Sequence, residues 1–212
     1  MVPWKYPGIL MRIALPGAIF RADAGNNQLY LTFDDGPDPE VTPPLLDLLR
    51  DYGVTATFFV VANQADWWLE LVRRTAAEGH AIGLHGLKHR SGYGLSNRKL
   101  WRELSDLREA LKQADVSVLP AYRPPFGHIR PDTVGYLRKR GVSTILWSNI
   151  PGDFRPLNTD QLHRKAMRGA RPGDILVLHD GTRLRPAPVL ELTKRLLDSF
   201  HAAGWYCSRL SI

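Results

Sequence analysis

A chain of 212 residues, of which 44% are hydrophobic and 23% charged, has the composition of a single globular domain, which excludes a disordered protein. The only cysteine, Cys207, excludes an intramolecular disulfide and a multi-cysteine metal site. The net charge of +7 favours acidic partners, but the basic residues are scattered and form no arm or stripe, so we expect no nucleic-acid partner.

The N-terminal segment has some features of an export signal. Met1–Phe20 is apolar, and Ala22-Asp23-Ala24 after it resembles a signal-peptidase site. However, Arg12 interrupts the apolar run, and Pro7 and Pro16 would break a helix through it, so we predict neither a signal peptide nor a membrane span. We expect an extension, residues 1–27, packed on a catalytic domain, residues 28–212. Without an export signal, the default expectation for localisation is cytoplasmic.

From Gln28 onward, strand and helix patterns alternate. Apolar and β-branched runs predict strands at Leu29–Phe33, Thr57–Val61, Ala81–Leu84, around Tyr122, and at Ser143–Trp147, Asp174–Leu178 and Trp205–Ser208. Capping residues, prolines and helical spacing predict helices that begin at Thr42, Asp66, Ser96, Pro131, Thr159 and Val189, with Thr42, Asp66 and Thr159 as N-caps. Such alternation in one domain favours parallel βα units closed into a TIM-barrel-like α/β fold.

Ionisable side chains follow five of these strands. They are Asp34 and Asp35, His85 and His89, Arg123, Asp153, and His179 with Asp180. In barrels of βα units the carboxyl ends of the strands surround one mouth, where active sites lie. We therefore expect these side chains to converge.

The adjacent pair Asp34 and Asp35 is unusual at the end of an apolar strand. Neighbouring strand residues point to opposite sides, so one of the two carboxylates would face apolar side chains. Burial of a carboxylate is costly unless a metal, a cation or hydrogen bonds compensate it. The pair indicates that one aspartate holds a metal and the other handles protons. A loop that begins with a helix-capping aspartate is the alternative.

His85 and His89 are four residues apart. On a helical turn this spacing would place both imidazoles on one side, within reach of one ion. Together with Asp35 they offer two nitrogen ligands and one oxygen ligand, as in a catalytic zinc site with an open position. Each histidine alone is commonly structural, and the stretch Arg123–Gly127 alone could be a rigid turn.

Five ordered motifs resemble those of the polysaccharide deacetylases, the metal-dependent N- and O-deacetylases of carbohydrate esterase family 4, also called the NodB-homology domain. The motifs are Thr32–Pro37, His85-x-x-x-His89, Arg123–Gly127, Asp153-Phe154 and Val177–His179. The resemblance extends from about Gln28 to the last residue. It implies a distorted (β/α)₇ barrel in a single domain.

The resemblance also implies a division of labour around a metal ion. Asp35, His85 and His89 would bind one divalent ion, with Zn²⁺ expected and Co²⁺, Ni²⁺ or Mn²⁺ as alternatives. Asp34 would be the general base that takes a proton from the attacking water. Arg123 would pair with Asp34 and hold it ionised.

Further roles concern the acyl group and the substrate. The backbone N–H of Phe126 would stabilise the oxyanion, and His179 would protonate the leaving amine while Asp153 orients it. Substrate contacts would come from Pro125, Phe126, Phe154 and Val177. Four positions depart from the usual family residues, which bears on substrate preference: Gly86, Phe126, Phe154 and Val177.

The function implied is deacetylation of N-acetyl groups in a carbohydrate polymer or oligosaccharide, such as peptidoglycan or chitin-type GlcNAc chains, by a monomer. An O-deacetylase and a hydrolase of a non-sugar amide are alternatives with the same fold. A non-catalytic carbohydrate-binding relative is a third, although this chain keeps every ligand and acid–base residue. Wall substrates would require export, so the missing export signal counts against them.

Overall fold

In the computed structural model, seven strands and seven α-helices follow one another along the described part of the chain, residues 9–23, 25–63, 65–181 and 186–212. The strands are β1 Gln28–Asp34, β2 Thr57–Val61, β3 Ala81–Gly86, β4 Val118–Tyr122, β5 Ser143–Thr144, β6 Ile175–His179 and β7 Tyr206–Ser208. The helices are α1 Ile9–Ala14, α2 Thr42–Asp51, α3 Asp66–Ala77, α4 Asn97–Gln113, α5 Pro131–Arg138, α6 Thr159–Met167 and α7 Pro186–Ala202.

All strand pairs are parallel, and the sheet order is β5-β4-β3-β2-β1-β6, with β7 beside the first half of β1. The irregular segment after β5 continues to β6, where Asn149 pairs with Leu176 and accepts a 2.9 Å hydrogen bond from the Val177 N–H. The sheet thus curls into the distorted (β/α)₇ barrel of a single domain that the motifs implied.

The side chains on the two faces of β1 pack into two different hydrophobic clusters. Leu29, Leu31 and Phe33 belong to the large core between the strands and the helices. Tyr30 instead contacts a second cluster, whose members come from β2, β4 and β6 and from the segments after β5 and β7, so this cluster fills the barrel interior: Phe59, Ala121, Ile145, Ile175 and Leu210. Because strand side chains alternate, Asp34 points to the same side as Tyr30, into the barrel at its carboxyl end.

Three predicted N-caps lie one residue too late, since the structure has Val41, Ala65 and Asn158 in place of Thr42, Asp66 and Thr159. At α6 the Asn158 side chain accepts from the N–H of Gln161, whose side chain accepts from the N–H of Asn158, so two free N–H groups are satisfied at once. Thr42 is instead buried inside the first turn of α2. The side chain of Asp66 lies outside the described residues.

The predicted fifth strand, Ser143–Trp147, is too long. Only Ser143 and Thr144 form β5, because the N–H of Leu146 bonds to the carbonyl of Ile19 rather than to β4. The N–H groups of Ser148 and Asn149 then donate to the carbonyl of Ile175 in β6. This shift from one neighbouring strand to another distorts the barrel.

The segment before β1 contacts the barrel. Leu15 and Phe20 are buried in the main core, Ile19 pairs with Ile145, and Arg21 forms an ion pair with Asp174. Residues 1–8 of the predicted extension lie outside the described residues, and its boundary at Gln28 stays a prediction. None of the helices in the described ranges is long and apolar enough to cross a membrane.

Candidate metal and active site

A cleft of about 780 Å³ opens at the carboxyl ends of the strands. It is lined by seven of the residues singled out from the sequence: Asp34, Asp35, His85, His89, Phe126, Phe154 and His179. Arg123 and Asp153 lie behind this lining, where they hold Asp34 and His179.

The three predicted metal ligands lie together. The carboxylate Oδ1 of Asp35 is 3.2 Å from Nε2 of His85 and 3.0 Å from Nε2 of His89. One ligand atom from each residue can be chosen so that all three lie within 4.8 Å of one another. His85 lies within β3 and His89 in the bend after it, so the expected helical turn is wrong and a bend after the strand brings the two rings together.

The hydrogen bonds around this group fit a bound cation. The Nδ1 atom of His85 is 2.7 Å from the carbonyl oxygen of Arg123, which can only accept, so Nδ1 carries the proton and Nε2 carries a lone pair. That lone pair faces Oδ1 of Asp35, a buried atom that has no hydrogen-bond partner among the described residues. Electron-pair donors in such contact repel unless a cation lies between them. The donor set therefore fits a divalent metal ion with a position left open for water or substrate.

Two glycines allow the chain to pass close to these ligands. A Cβ atom on Gly181 would lie 2.4 Å from Cβ of Asp35, and a Cβ atom on Gly36 would lie 2.3 Å from Oδ1 of Asp180. Asp35 itself has a φ of 75°, a left-handed conformation that is uncommon for a residue other than glycine. The loop that carries the candidate metal ligand Asp35 is therefore tightly folded and packs against the end of β6.

Asp180 is a buried carboxyl group for which the sequence predicts no specific role. Its Oδ2 accepts a 2.7 Å hydrogen bond from the Thr42 hydroxyl, and its backbone N–H donates to the Asp34 carbonyl. Burial raises the pKa of the Asp180 carboxyl to about 7. His179 and Asp180 are adjacent ionisable residues at the end of a strand, like Asp34 and Asp35, and this pattern already predicts that one of the two side chains is buried.

Asp34 is paired with a fully buried arginine. Nη1 of Arg123 donates 2.7 Å hydrogen bonds to Oδ1 of Asp34 and to the hydroxyl of Thr32, and Nη2 donates to the carbonyl of Leu146 at 3.2 Å. The guanidinium carbon also lies 4.1 Å from the centroid of the Phe59 ring. These contacts compensate the carboxylate charge and fix its orientation at the base of the cleft.

His179 forms a second pair, with Asp153 from the loop before α6. Its Nδ1 lies 2.8 Å from Oδ1 of Asp153, and its backbone N–H donates to Oδ2 at 2.7 Å. Burial disfavours the imidazolium, but the charge and hydrogen bond of Asp153 outweigh burial and raise the pKa of His179 to about 9. The ring of Phe154 packs edge-on against the imidazole, with centroids 5.1 Å apart.

The predicted substrate contacts divide into two groups. Phe126, with a φ of 60°, and Phe154 line the cleft with exposed rings. Pro125 and Val177 are buried and do not line the cleft, where Pro124 takes part instead, so their placement gives no support for direct substrate contact. Loop and helix residues that belong to no motif complete the wall: Trp68, His128, Trp147, Ile150, Arg155 and Lys165.

Residues 21–145 match the family described as polysaccharide deacetylase. The chain is 35% identical over 159 residues to a chitooligosaccharide deacetylase of Bradyrhizobium sp., covering 74% of this chain and 73% of that protein. It is 35% identical over 175 residues to a peptidoglycan-N-acetylglucosamine deacetylase of Bacillus cereus, covering 81% and 82%. A solved structure of a peptidoglycan N-acetylglucosamine deacetylase has the same fold, with a TM-score of 0.86 and 24% identity over 92% of this chain and 91% of that chain. The chain belongs to the polysaccharide deacetylase family.

Proposed function

We propose that the protein hydrolyses the N-acetyl groups of GlcNAc residues in an oligosaccharide or polymer of the peptidoglycan or chitin type. The names of the two relatives support this substrate class. The observation that carries the proposal is the meeting, in one cleft, of the group Asp35, His85 and His89 with the two pairs Asp34–Arg123 and His179–Asp153. The ligand set and both acid–base pairs come from a single chain, which supports a monomer as the active form.

Zinc is the proposed ion, held by the three ligands, since two imidazole nitrogens and one carboxylate oxygen with an open position are typical of catalytic zinc. Co²⁺, Ni²⁺ and Mn²⁺ accept similar ligands and are the alternatives. When bound, the ion supplies Lewis-acid activation of the acetyl carbonyl and of the attacking water.

Asp34 is the proposed general base. Arg123 occupies its Oδ1, which leaves Oδ2 to accept the proton of the attacking water. Because the guanidinium also bonds to Thr32 and to the Leu146 carbonyl, the carboxylate cannot rotate away without breaking a buried network. The backbone N–H of Phe126, in the turn that closes the cleft, is the proposed oxyanion donor.

His179 is the proposed general acid. Asp153 holds the proton on Nδ1, so Nε2 carries the proton that the leaving group takes. A pKa of about 9 keeps the imidazolium populated near neutral pH. Since an amine cannot leave as an anion, this proton is essential for an amide and less important for an ester, which favours an N-deacetylase over an O-deacetylase.

The test is acetate release from N-acetylated chitooligosaccharides and from peptidoglycan by metal-stripped protein, before and after addition of Zn²⁺ or Co²⁺. We expect release only with metal, in the wild type and in a control variant at an exposed histidine outside the cleft, His201→Ala. Metal binding without release from either glycan would instead favour a non-catalytic carbohydrate-binding protein. Release from O-acetylated sugars alone would favour an O-deacetylase.

A further inference from the structure

A row of aromatic rings leads from a metal ligand toward solvent. The ring of Phe126 packs on His89 with centroids 4.5 Å apart, and the ring of His128 follows at 5.5 Å. Tyr93 then stacks on His128, with centroids 4.9 Å apart and planes inclined by 20°. Phe126 and His128 line the cleft, so Tyr93 extends this wall beyond the catalytic group.

The position of Tyr93 is fixed by contacts between two separate segments. The Ser91 hydroxyl lies 3.1 Å from Nδ1 of His128, and Arg130 donates to the carbonyl oxygens of Tyr93 and Leu95 at 3.2 and 2.9 Å. A Cβ atom on Gly92 would lie 2.3 Å from the carbonyl oxygen of His128, so only glycine permits this approach. The turn Gly92–Gly94 is therefore fastened to the chain that follows Phe126.

Tyr93 is nevertheless exposed. Four aromatic residues are among the large exposed apolar side chains of the described ranges: Tyr93, Phe126, Phe154 and Tyr206. Two of these four, Phe126 and Phe154, line the cleft, and Tyr93 stacks on the lining residue His128. Exposed aromatic rings held rigidly beside a site indicate a binding surface, because their faces attract apolar and C–H-bearing ligands.

The charged group that fastens this turn, Arg130, is not available to a ligand. Apart from its bonds to carbonyl oxygens, the guanidinium of Arg130 donates to Asp132 and to the side chain of Asn97. All of its nitrogens are therefore engaged, so it is not poised to bind an anion. A pyranose ring, with axial C–H groups on its faces, suits an aromatic surface of this kind.

We propose that Tyr93 and His128 form a subsite for the neutral sugar that neighbours the one being deacetylated. This inference rests on the proposed function, and it predicts a preference for substrates long enough to reach Tyr93. Phe126 would connect this subsite to the catalytic group.

The kinetic test compares kcat/KM on N-acetylated chitooligosaccharides of two to five sugars. In the wild type we expect kcat/KM to rise when the chain becomes long enough to cover Tyr93. Tyr93→Ala should lose about two- to tenfold on the long substrates and little on the shortest, while Tyr93→Phe keeps the ring and the length dependence. Tyr206→Ala is the matched control, since this tyrosine is also exposed but lies on β7 outside the cleft lining.

A binding measurement separates the subsite from the chemistry. Metal-stripped protein should bind the pentamer more tightly than the dimer in calorimetric titration, and Tyr93→Ala should remove this difference. Equal effects of Tyr93→Ala on dimer and pentamer, or no effect on either, would overturn the subsite. Pentamer binding that depends on Tyr93, together with no acetate release by metal-loaded enzyme, would retain the sugar subsite and refute the deacetylase function.

Discussion

At the scale of single residues, the site depends on charges that are buried in pairs. Arg123 is fully buried and Asp34 nearly so, and each compensates the charge of the other. Removal of one partner would leave an uncompensated charge in the barrel, which costs about 3–5 kcal/mol in comparable buried pairs. Informative substitutions at this site should therefore preserve shape and hydrogen bonding.

Asp34→Asn is such a substitution. The amide oxygen can still accept from Arg123, but the side chain can no longer take a proton from water. We expect metal binding close to that of the wild type, with turnover reduced by roughly 10²-fold or more. Metal titration and acetate release measure the two quantities, and near-normal turnover would refute the assignment of Asp34 as the base.

The pH dependence of turnover should reflect His179. Because its protonated form is the proposed acid, the rate should fall as pH rises through a pKa that Asp153 keeps high. In Asp153→Asn the opposing effect of burial remains without the carboxylate charge, so the basic limb of the pH–rate profile should move to lower pH. An unchanged basic limb in this variant would argue against His179 as the titrating acid.

The same pKa shift has a consequence for stability in the metal-free protein. The folded-state pKa of about 9 lies above the ordinary value of 6.5, so the stabilisation is fully present below pH 6.5 and is lost as pH rises through about 9. Between these limits the free energy of unfolding of the wild type should fall by about 2–3 kcal/mol more than that of His179→Gln. Urea unfolding at several pH values measures this difference, and parallel curves for the two proteins would contradict it.

At the scale of elements, strands β2 and β3 support the buried pair of Arg123 and Asp34. The Phe59 ring packs under the Arg123 guanidinium, and Gly83 of β3 leaves room for it, since a Cβ atom there would lie 2.5 Å from Cε1 of Phe59. The orientation of Asp34 therefore depends on the Phe59 ring from the neighbouring strand β2. It also depends on the absence of a side chain at Gly83 in β3.

Gly83→Ala should therefore push the Phe59 ring against Arg123. Overpacking of this kind costs about 1–3 kcal/mol, and a shifted Arg123 should also lower kcat. Gly135→Ala in α5 is the control, because its added Cβ would meet no atom within 4 Å apart from its chain neighbours and its own helix backbone, and alanine favours a helix. Urea unfolding and acetate release would show the contrast, and equal behaviour of the two variants would disprove the proposed support.

At the scale of the whole molecule, the ligand set couples distant parts of the chain. Asp35 follows β1, whereas His85 and His89 belong to β3 and the bend after it, so a bound ion joins these segments. An ion that binds only the folded protein raises the free energy of unfolding, by about 2.7 kcal/mol at a concentration 100 times its Kd.

His89→Ala should abolish this stabilisation. The side chain of His89 is partly exposed, so its loss should leave the fold intact while zinc affinity, the zinc-dependent rise in Tm and turnover all disappear. His201→Ala should retain all three. A well-folded His89→Ala protein that binds zinc as tightly as the wild type would show that the ligand assignment is wrong.

The family fold and the residues around the cleft could be predicted from the sequence because their signals are local. Apolar runs and capping residues indicated the alternation of strands and helices, and five short motifs marked the strand ends. The N-caps and the end of β5 were misjudged, since Asn158 and Gln161 cap each other and Ser148 bonds across to β6. The catalytic roles themselves stay predictions.

By itself, the sequence determined the order of elements, the barrel class and the identity of the metal and acid–base candidates, because each depends on residues close together in the chain. Only the tertiary structure decided that Phe59 and Gly83 support Arg123, that Thr42 binds Asp180, and that Tyr93 stacks on His128. These contacts join residues far apart in sequence, and they arise from barrel closure, which no local pattern of side chains encodes.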